Sequence, residues 1–543
     1  MVSLVLSVGT LMPSLCLLIT LPAHCQHLLS GPERPEMTEF PPWKSWGMLA
    51  RYGGASMLCM LAIVQAMAFV PSMVHENDAI HSYVVVLLLL LLGMLIFVVC
   101  VRELVRFTVL SHPPLLIALW CLGTMLLPGL FALSDNTLLR LYLPLSAIVN
   151  NHQAVVGAAM LSCGLLLVMS VYLLGLRRKM LLAPPLTQGT RVRWDRFYGL
   201  YAATFLIGLG ALVMFGTEFQ DGGETSGGAQ FVQQLLIAVS ALRTLLFVIA
   251  VMMFVARRWS AAPLLVVALG EMFIVLAGGF KGPILSLGLT ALLTAMIINQ
   301  FLRIRRRLSR KLLASLAGLA LVITVVIPVS ERLRSGLVEG IYTPRAPASS
   351  LIDALRATWG TDIQESLKTA ANKVAARQAP MVYAPALIYD RTPSRYEFQG
   401  YSKLLLIGAV YVPRAVWPSK PVLTEGRDFS IRYFDMPKNT TTSSAMTIFG
   451  EGYLMGGWWG VGVVSFLVGA GLAILYNRLI SGASVIILLA LIPTILNIES
   501  QAILMLISTI NQIIVFVIFM PILIRNRKQN QFDEGGLSLR GVV

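Results

Sequence analysis

Charged residues are scarce in this chain: they make up 13% of its 543 residues, against about 25% in a typical soluble domain. Hydrophobic residues make up 57%, and the mean hydropathy is +0.77. These values exclude an ordinary soluble domain and indicate a protein with many membrane-spanning helices. The net charge of +16 does not by itself indicate nucleic-acid binding, because basic residues of membrane proteins gather in cytoplasmic loops.

Cysteine and histidine are missing from most of the chain. All six cysteines precede residue 164 and show no zinc-type or CxxC spacing, so we expect small buried side chains. All six histidines precede residue 153, so we expect any chemistry carried by the second half to work without imidazole. The sequence has no DxD motif and no His/Asp/Glu cluster with metal-ligand spacing, which predicts a protein without metal or cofactor.

Twelve stretches approach the length and apolar character of a spanning helix, which needs about 20 residues. They lie near 54–72, 82–101, 112–133, 153–175, 197–216, 232–256, 261–279, 281–300, 311–329, 456–476, 483–497 and 503–524. The stretch 483–497 is short and fits a tilted or partly re-entrant segment. The predicted fold class is an all-α polytopic membrane protein with about 12–13 transmembrane helices.

Basic residues predict the orientation of these spans. If the spans alternate, "LRRKM", "RVRWDR", "RIRRRLSRK" and "IRNRK" all fall on one side. The connections "HENDAIH" and "TEFQDGGETSGG" fall on the other side and are acidic or neutral. The basic side is therefore predicted to be cytoplasmic, and it includes the C-terminal tail, 525–543.

The N-terminal segment, 1–46, has three interpretations. Its first 22 residues are apolar and could form a thirteenth spanning helix. A cleaved signal peptide is disfavoured, because the segment lacks a basic start and a clean A-x-A site. A start at Met37 would instead give the polar cytoplasmic beginning "MTEFPPWKSW".

One large loop, 330–455, separates a helix bundle at 47–329 from C-terminal helices at 456–524. Its part 350–378 has apolar residues at helical spacing and predicts one or two amphipathic helices. Its part 404–417 is apolar, too short to span, and ends in Pro-Arg and Trp, which is typical of an interfacial or re-entrant element. The following residues are polar, turn-rich and cationic.

This loop is rich in basic residues, although an outside loop is expected to be poor in them. They include Arg345, Arg356, Arg377, Arg391, Arg395, Arg414, Lys420, Arg427 and Arg432. Long loops escape the orientation rule, and a solvated face explains any single residue equally well. The cluster flanking 404–417 is better explained as an anion site at the outer membrane surface, because the fork of arginine donates two parallel hydrogen bonds to a phosphate.

The segment "VPRAVWPSKP", 412–421, resembles the P-R-x-x-W-P-x-K-P signature of Wzy-type oligosaccharide repeat-unit polymerases. The surrounding segments agree: an apolar stretch ending in Thr392–Pro393, "FQG" ending at Gly400, a Ser/Thr-rich turn at 440–444, and "FGEGYLMGGWWGVGVV". The last resembles G-E-x-Y-x-x-x-G-x-x-G, although the family shows "NFG" where this chain has "MGG". The resemblance covers roughly residues 370–475.

The resemblance implies a bacterial inner-membrane glycosyltransferase with a GT-C-like architecture. It would join undecaprenyl-diphosphate-linked oligosaccharides into O-antigen or exopolysaccharide at the periplasmic face. The implied partners are these lipid-linked oligosaccharides, membrane lipid, and a chain-length regulator and flippase of the same pathway, with no nucleic acid.

In the implied reaction a sugar hydroxyl attacks an anomeric carbon and undecaprenyl diphosphate leaves. Fixed cations should face the departing charge. The candidates are Arg377 and Arg414 as catalytic residues, with Lys420, Arg427 and Lys281 as diphosphate-binding residues. Glu451 is the first choice for a general base, with Glu425 and Asp428 as alternatives. For Glu451 the structural alternative is a carboxylate that caps a helix start or pairs with an arginine; for Lys281 it is a snorkelling side chain in a tight turn.

Four further residues are candidates for the lining of a substrate cavity. Arg243 and Glu271 both lie mid-span, and we expect them to face each other, either as a structural ion pair or in the cavity wall. Tyr453 and Trp417 could stack on sugars, although interfacial anchoring is the favoured role for such residues.

Two other functions remain open. An O-antigen ligase-like enzyme would share the chemistry and pass the glycan to a different acceptor. A polysaccharide transporter or lipid flippase would show broken helices at matching places in two halves, and the sequence reveals neither such helices nor internal pseudo-symmetry.

Overall fold

The computed structural model describes sixteen stretches of the chain. They are 47–68, 79–104, 112–134, 151–176, 190–215, 227–256, 261–277, 282–301, 329, 332–333, 352–354, 356–357, 380–405, 425–438, 444–480 and 484–526. The regular structure of these residues is helical, apart from one pair of three-residue strands. This confirms the predicted all-α class.

The helices of the first part of the chain are α1 (Gly54–Ala68), α2 (Ala79–Leu104), α3 (Pro113–Cys121), α4 (Leu127–Ser134), α5 (Asn151–Gly175), α6 (Trp194–Phe215), α7 (Gly227–Val255), α8 (Ala261–Ala277) and α9 (Gly282–Phe301). Those of the second part are α10 (Pro380–Arg391), α11 (Glu425–Tyr433), α12 (Ile448–Leu479), α13 (Val485–Ala490), α14 (Ile492–Ile495) and α15 (Ala502–Leu523). Two π-helical turns, Leu49–Gly53 and Leu122–Leu126, adjoin α1 and join α3 to α4.

Seven stretches of the described helices are long and apolar enough to cross a membrane. They are Leu49–Met67, Ala79–Leu104, Pro113–Leu130, Asn151–Gly175, Ala238–Val255, Ile448–Leu479 and Ala502–Leu523, and two shorter apolar helices add to them. The predicted span at 311–329 falls outside the described residues except for residue 329. The predicted span at 483–497 consists of the two short helices α13 and α14.

Helix α5 is the centre of the bundle. It packs against α1, α2, α10 and α12. Its sequence "NHQAVVGAAMLSCGLLLVMSVYLLG" carries small residues that let neighbouring backbones approach closely, as is common where helices pack in membranes. A Cβ on Gly157 would overlap the backbone carbonyl of Val382 in α10, and one on Gly164 would overlap the ring of Phe449 in α12.

Three contacts hold helices together at one end of the bundle, where α5 and α12 end and α6 begins. We call this the basic end. The Arg51 guanidinium donates to the Leu176 carbonyl over 2.7 Å, and Asn477 donates to the Gly175 carbonyl over 2.8 Å. At this end β1 (Thr190–Val192) pairs antiparallel with β2 (Ile524–Asn526), which ties the start of α6 to the end of α15.

Helix α12 is two helices joined at a break. Gly456 and Gly457 have non-helical backbone angles, and Gly457 has φ +63° and ψ −145°, a region open to glycine but strained for other residues. The chain folds back there: a Cβ on Gly452 would lie 2.9 Å from the carbonyl oxygen of Gly460. Helix α12 begins at Ile448, eight residues before residue 456, where the sequence predicted the start of this span.

The position of Phe449 measures how far the chain folds back. Gly469 contacts Val168 on α5, and Phe449 contacts Gly164 on the same helix. Along an unbroken helix Phe449 would lie about 30 Å from Gly469, whereas Gly164 and Val168 are only about 6 Å apart. Residues 448–455, which we call the re-entrant helix, therefore start about 20 Å along α5 from Asn151, near the middle of that helix.

Candidate functional site

Glu451 caps the first turn of another helix. Its Oε2 accepts hydrogen bonds from the backbone N–H of Ala502 and, over 3.4 Å, from that of Ile503, which open α15. The first N–H groups of a helix have no partner within the helix, and the helix dipole favours a negative charge at this position. The residue is fully buried. Glu451 therefore has the contacts of a helix-capping carboxylate, which is the structural alternative named above. Its role as a general base stays a prediction. That role would require the carboxylate to leave the start of α15.

The start of the re-entrant helix is fixed by a turn that precedes α15. The backbone N–H of Thr447 donates to the Glu499 carbonyl, and that of Ile448 donates to the Ile498 carbonyl, each over 3.1 Å. Thr447 has φ +65°, which is strained for a β-branched residue. Its side chain caps the helix by accepting from the Gly450 N–H over 3.1 Å. The strained position is thus held by three hydrogen bonds.

The "FQG" segment docks on the break in α12. The backbone N–H of Gln399 donates to the Leu454 carbonyl over 2.8 Å. Phe398 lies against Gly457, and the Tyr401 hydroxyl lies against Gly456. A Cβ on Gly456 would come within 2.7 Å of that hydroxyl, so a larger residue there would displace the Tyr401 side chain. Two segments that are separate in sequence, at 398–401 and 454–457, therefore form one contact.

An aromatic cluster lies beside this contact. The ring of Tyr453 lies 5.5 Å from that of Tyr389, 6.1 Å from that of Phe398 and 6.0 Å from that of Trp458. Tyr453 itself is 6% exposed, whereas Trp459 is 85% exposed. Tyr453 thus packs within the protein, whereas Trp459, Phe398 and Tyr401 are exposed.

The ends of α10 and α11 meet in a group of polar contacts. Thr392 and Tyr433 share a hydrogen bond of 2.6 Å between their hydroxyls, and Tyr396 donates to the Arg432 carbonyl over 3.0 Å. Burial raises the pKa of the Tyr433 phenol above its ordinary value. Arg391 donates to the Arg432 carbonyl over 3.1 Å and to the Asp435 carboxylate over 2.8 Å.

The predicted cations are described only in part. Arg427 lies half-buried on α11 and donates to the Lys438 carbonyl over 3.1 Å. Arg377, Arg414, Lys420, Lys281 and Trp417 lie outside the described residues. Within the described stretches, no group of three or more His, Cys, Asp or Glu is arranged to hold a metal ion.

Arg243 and Glu271 face each other across α7 and α8, as predicted. The Arg243 Nε and Glu271 Oε2 atoms are 3.6 Å apart, and the side chains are 8% and 5% exposed. Gly208 on α6 leaves space for the Arg243 side chain, because a Cβ at position 208 would overlap the guanidinium. This is the geometry of a buried ion pair. The cavity-lining role stays a prediction.

Two groups of residues were not singled out from the sequence. Asp435 belongs to no sequence motif, and its contact with Arg391 depends on how α10 and α11 pack together. His112 is buried at the basic end, where Nδ1 lies 2.9 Å from the Tyr172 hydroxyl and Nε2 lies 3.4 Å from the Tyr476 hydroxyl. An imidazole of the first half therefore does touch the second half, about 12 Å along α5 from the contact between Gly164 and Phe449.

Comparisons of the chain with protein-family models, with curated proteins and with solved structures find no match.

Proposed function

We propose that this protein is a membrane glycosyltransferase that polymerises undecaprenyl-diphosphate-linked oligosaccharide repeat units at the periplasmic face of the bacterial inner membrane. The observation that carries the proposal is the docking of residues 398–401 onto the Gly456–Gly457 break. These residues include the "FQG" and "GEGYLMGG" segments, which surround the 412–421 segment that carries the resemblance and agree with it. If the two segments belong to one site, they must lie close together although they are distant in sequence, and they do.

The position of the re-entrant helix also supports the proposal. Its first residue lies near the middle of α5, which is long and apolar enough to cross a membrane. Backbone that departs from a spanning helix at this depth is tolerated where protein covers it or where it lines a cavity. A lipid-linked substrate needs such a place, because its isoprenoid lies in the bilayer while its diphosphate and sugars lie at the surface.

Cations supply the chemistry in this proposal. The departing undecaprenyl diphosphate gains negative charge, and fixed guanidinium groups at low dielectric stabilise that charge in the transition state. Arg377 and Arg414 are assigned this role, with Lys420, Arg427 and Lys281 binding the same diphosphate. Arg391, Arg395 and Arg432, at the ends of α10 and α11, add to the positive field.

Glu451 positions these parts rather than reacting in the observed arrangement. Its carboxylate joins the re-entrant helix to α15, and its burial keeps a sugar hydroxyl away from it. The role of Glu451 as the general base is therefore left to the test by substitution described in the Discussion.

Reconstitution tests the proposal. The purified protein is placed in proteoliposomes with one undecaprenyl-diphosphate-linked repeat unit, and the products are separated by gel electrophoresis and mass spectrometry. We expect a ladder of oligomers together with free undecaprenyl diphosphate. Transfer that occurs only after a second, unlike acceptor is added would assign a ligase, and movement of substrate across the bilayer without a ladder would assign a transporter.

A further inference from the structure

Asp435 places a carboxylate between two arginines. Its Oδ2 lies 2.8 Å from Nη2 of Arg391, and its Oδ1 lies 3.7 Å from Nη1 of Arg395. Both arginines belong to the end of α10 and the turn after it, whereas Asp435 follows α11. The Arg391 and Asp435 side chains are 12% and 29% exposed, so the pair is partly shielded and still reachable from solvent.

A third arginine lies close to this carboxylate in the sequence. Arg432 precedes it by three residues, and both Arg391 and Arg432 act electrostatically on Tyr433. Asp390 and Glu397 flank Arg391 and Arg395 in the sequence, and Asp435 is the carboxylate that forms ion pairs with these two arginines. Asp435 also has φ +51°, a left-handed conformation that Asp and Asn adopt more readily than most residues.

We propose that Arg391 and Arg395 form a binding site for a phosphate oxyanion, which Asp435 occupies with its own carboxylate and which a phosphate takes over by displacing it. Assigning the ligand as the diphosphate of a lipid-linked sugar rests on the proposed function. The site itself is a claim about anion binding and does not depend on catalysis.

The chemistry of the groups favours the exchange. A phosphate monoester offers three acceptor oxygens and about −1.5 to −2 charges at neutral pH, against two oxygens and one charge for a carboxylate. The diphosphate of a lipid-linked sugar carries about one charge on each of its two phosphates, so it also exceeds the charge of the carboxylate. The Arg391 guanidinium donates through Nη2 to the Asp435 carboxylate and through Nη1 to the Arg432 carbonyl, so a phosphate oxygen would replace the carboxylate oxygen at Nη2. Asp435 lies after the last residue of α11 and is not part of a helix, so its side chain can turn toward solvent.

Binding of inorganic pyrophosphate to the intact protein in nanodiscs of zwitterionic lipid tests the site by isothermal titration calorimetry. Asp435→Asn keeps the shape and the left-handed backbone and removes the competing charge, so we expect about tenfold tighter binding. Arg391→Gln should weaken binding at least tenfold, and Arg391→Lys should weaken it less. Glu397→Gln removes an exposed acidic charge nearby and should leave binding within about twofold.

Equal affinity of Asp435→Asn and wild-type protein would overturn the proposal, and so would full affinity in folded Arg391→Gln protein. A second set of nanodiscs contains undecaprenyl diphosphate. Loss of pyrophosphate binding there identifies a lipid-linked diphosphate as the ligand, whereas unchanged binding identifies a soluble phosphate compound. This experiment measures anion binding and not polymer formation. The anion site and the polymerase function can therefore be disproved independently of each other.

Discussion

The carboxylate of Glu451 accepts hydrogen bonds from the N–H groups of Ala502 and Ile503, so the re-entrant helix and α15 share one buried polar contact. An α-helix that starts inside a protein must find acceptors for its first N–H groups. Glu451 meets this need from a residue that lies far away in sequence. It is also the carboxylate that the sequence pattern favours for catalysis, and substitution separates the two roles.

Glu451→Ala removes the acceptor and leaves buried N–H groups at the start of α15. We expect a loss of about 3 kcal/mol in the free energy of unfolding, measured by denaturant titration in detergent micelles. Glu451→Gln keeps an acceptor oxygen and should cost about 1 kcal/mol, with polymer formation within about tenfold of wild type. If Glu451→Gln protein is as stable as wild type but slower by a hundredfold or more, the carboxylate is the general base after all.

Gly457→Ala should destabilise the break in α12. A side chain at φ +63° and ψ −145° is strained, and we expect a cost of about 2–3 kcal/mol in unfolding free energy. Gly462→Ala is the matched control, because no atom lies within 4 Å of its added Cβ and the residue is helical. It should leave stability unchanged or raise it by up to about 1 kcal/mol. Equal effects of the two variants would contradict the fold-back at this position.

Breaking the Arg243–Glu271 pair should be costly. Glu271→Ala leaves a guanidinium buried without its counter-charge, and we expect a loss of about 3–5 kcal/mol in unfolding free energy. The double variant Arg243→Met with Glu271→Leu removes both charges and should unfold within about 1 kcal/mol of wild type. If the double variant is as unstable as Glu271→Ala, the two side chains stabilise the fold through contacts other than their mutual charge pairing.

Arg414→Lys tests the predicted diphosphate clamp. Arg414 follows Pro413, which fixes the local chain direction, and Lys keeps the charge but loses the two-pronged fork. In properly inserted protein we expect about a hundredfold loss of polymerisation rate, or roughly 3 kcal/mol. Arg377→Ala and Lys420→Ala should behave similarly. Arg356→Ala should not, because we interpret it as a solvated residue. A normal rate in Arg414→Lys protein would remove Arg414 from the mechanism.

Cysteine labelling tests the orientation. A chain whose six cysteines are replaced receives a single cysteine at Ser349 in the large loop. A membrane-impermeant maleimide should label it from the periplasmic side of intact cells, because the basic connections predict that this loop lies outside. A second cysteine placed between Arg303 and Lys311 should be labelled only after the membrane is opened. Labelling of Ser349→Cys from the cytoplasmic side alone would reverse the orientation.

The sequence by itself determined the class of this protein. The scarcity of charge and the apolar stretches require helices that satisfy their own backbone hydrogen bonds in a bilayer, and the described residues are helical with seven candidate spans. It also placed Arg243 opposite Glu271, since two mid-span charges on consecutive helices have few other partners. These predictions depend on local composition and on spacing along one or two helices.

Tertiary structure alone decided the site. Nothing in "FGEGYLMGGWWG" distinguishes a helix that folds back at Gly456–Gly457 from one that continues, because the contacts that hold the fold-back come from Phe398, Tyr401 and the turn before α15. The capping of α15 by Glu451 and the pairing of Asp435 with Arg391 likewise join elements separated by many residues. Hydropathy and spacing report the neighbours of a residue along the chain, whereas the partners of these buried and half-buried polar groups are fixed by how distant helices dock.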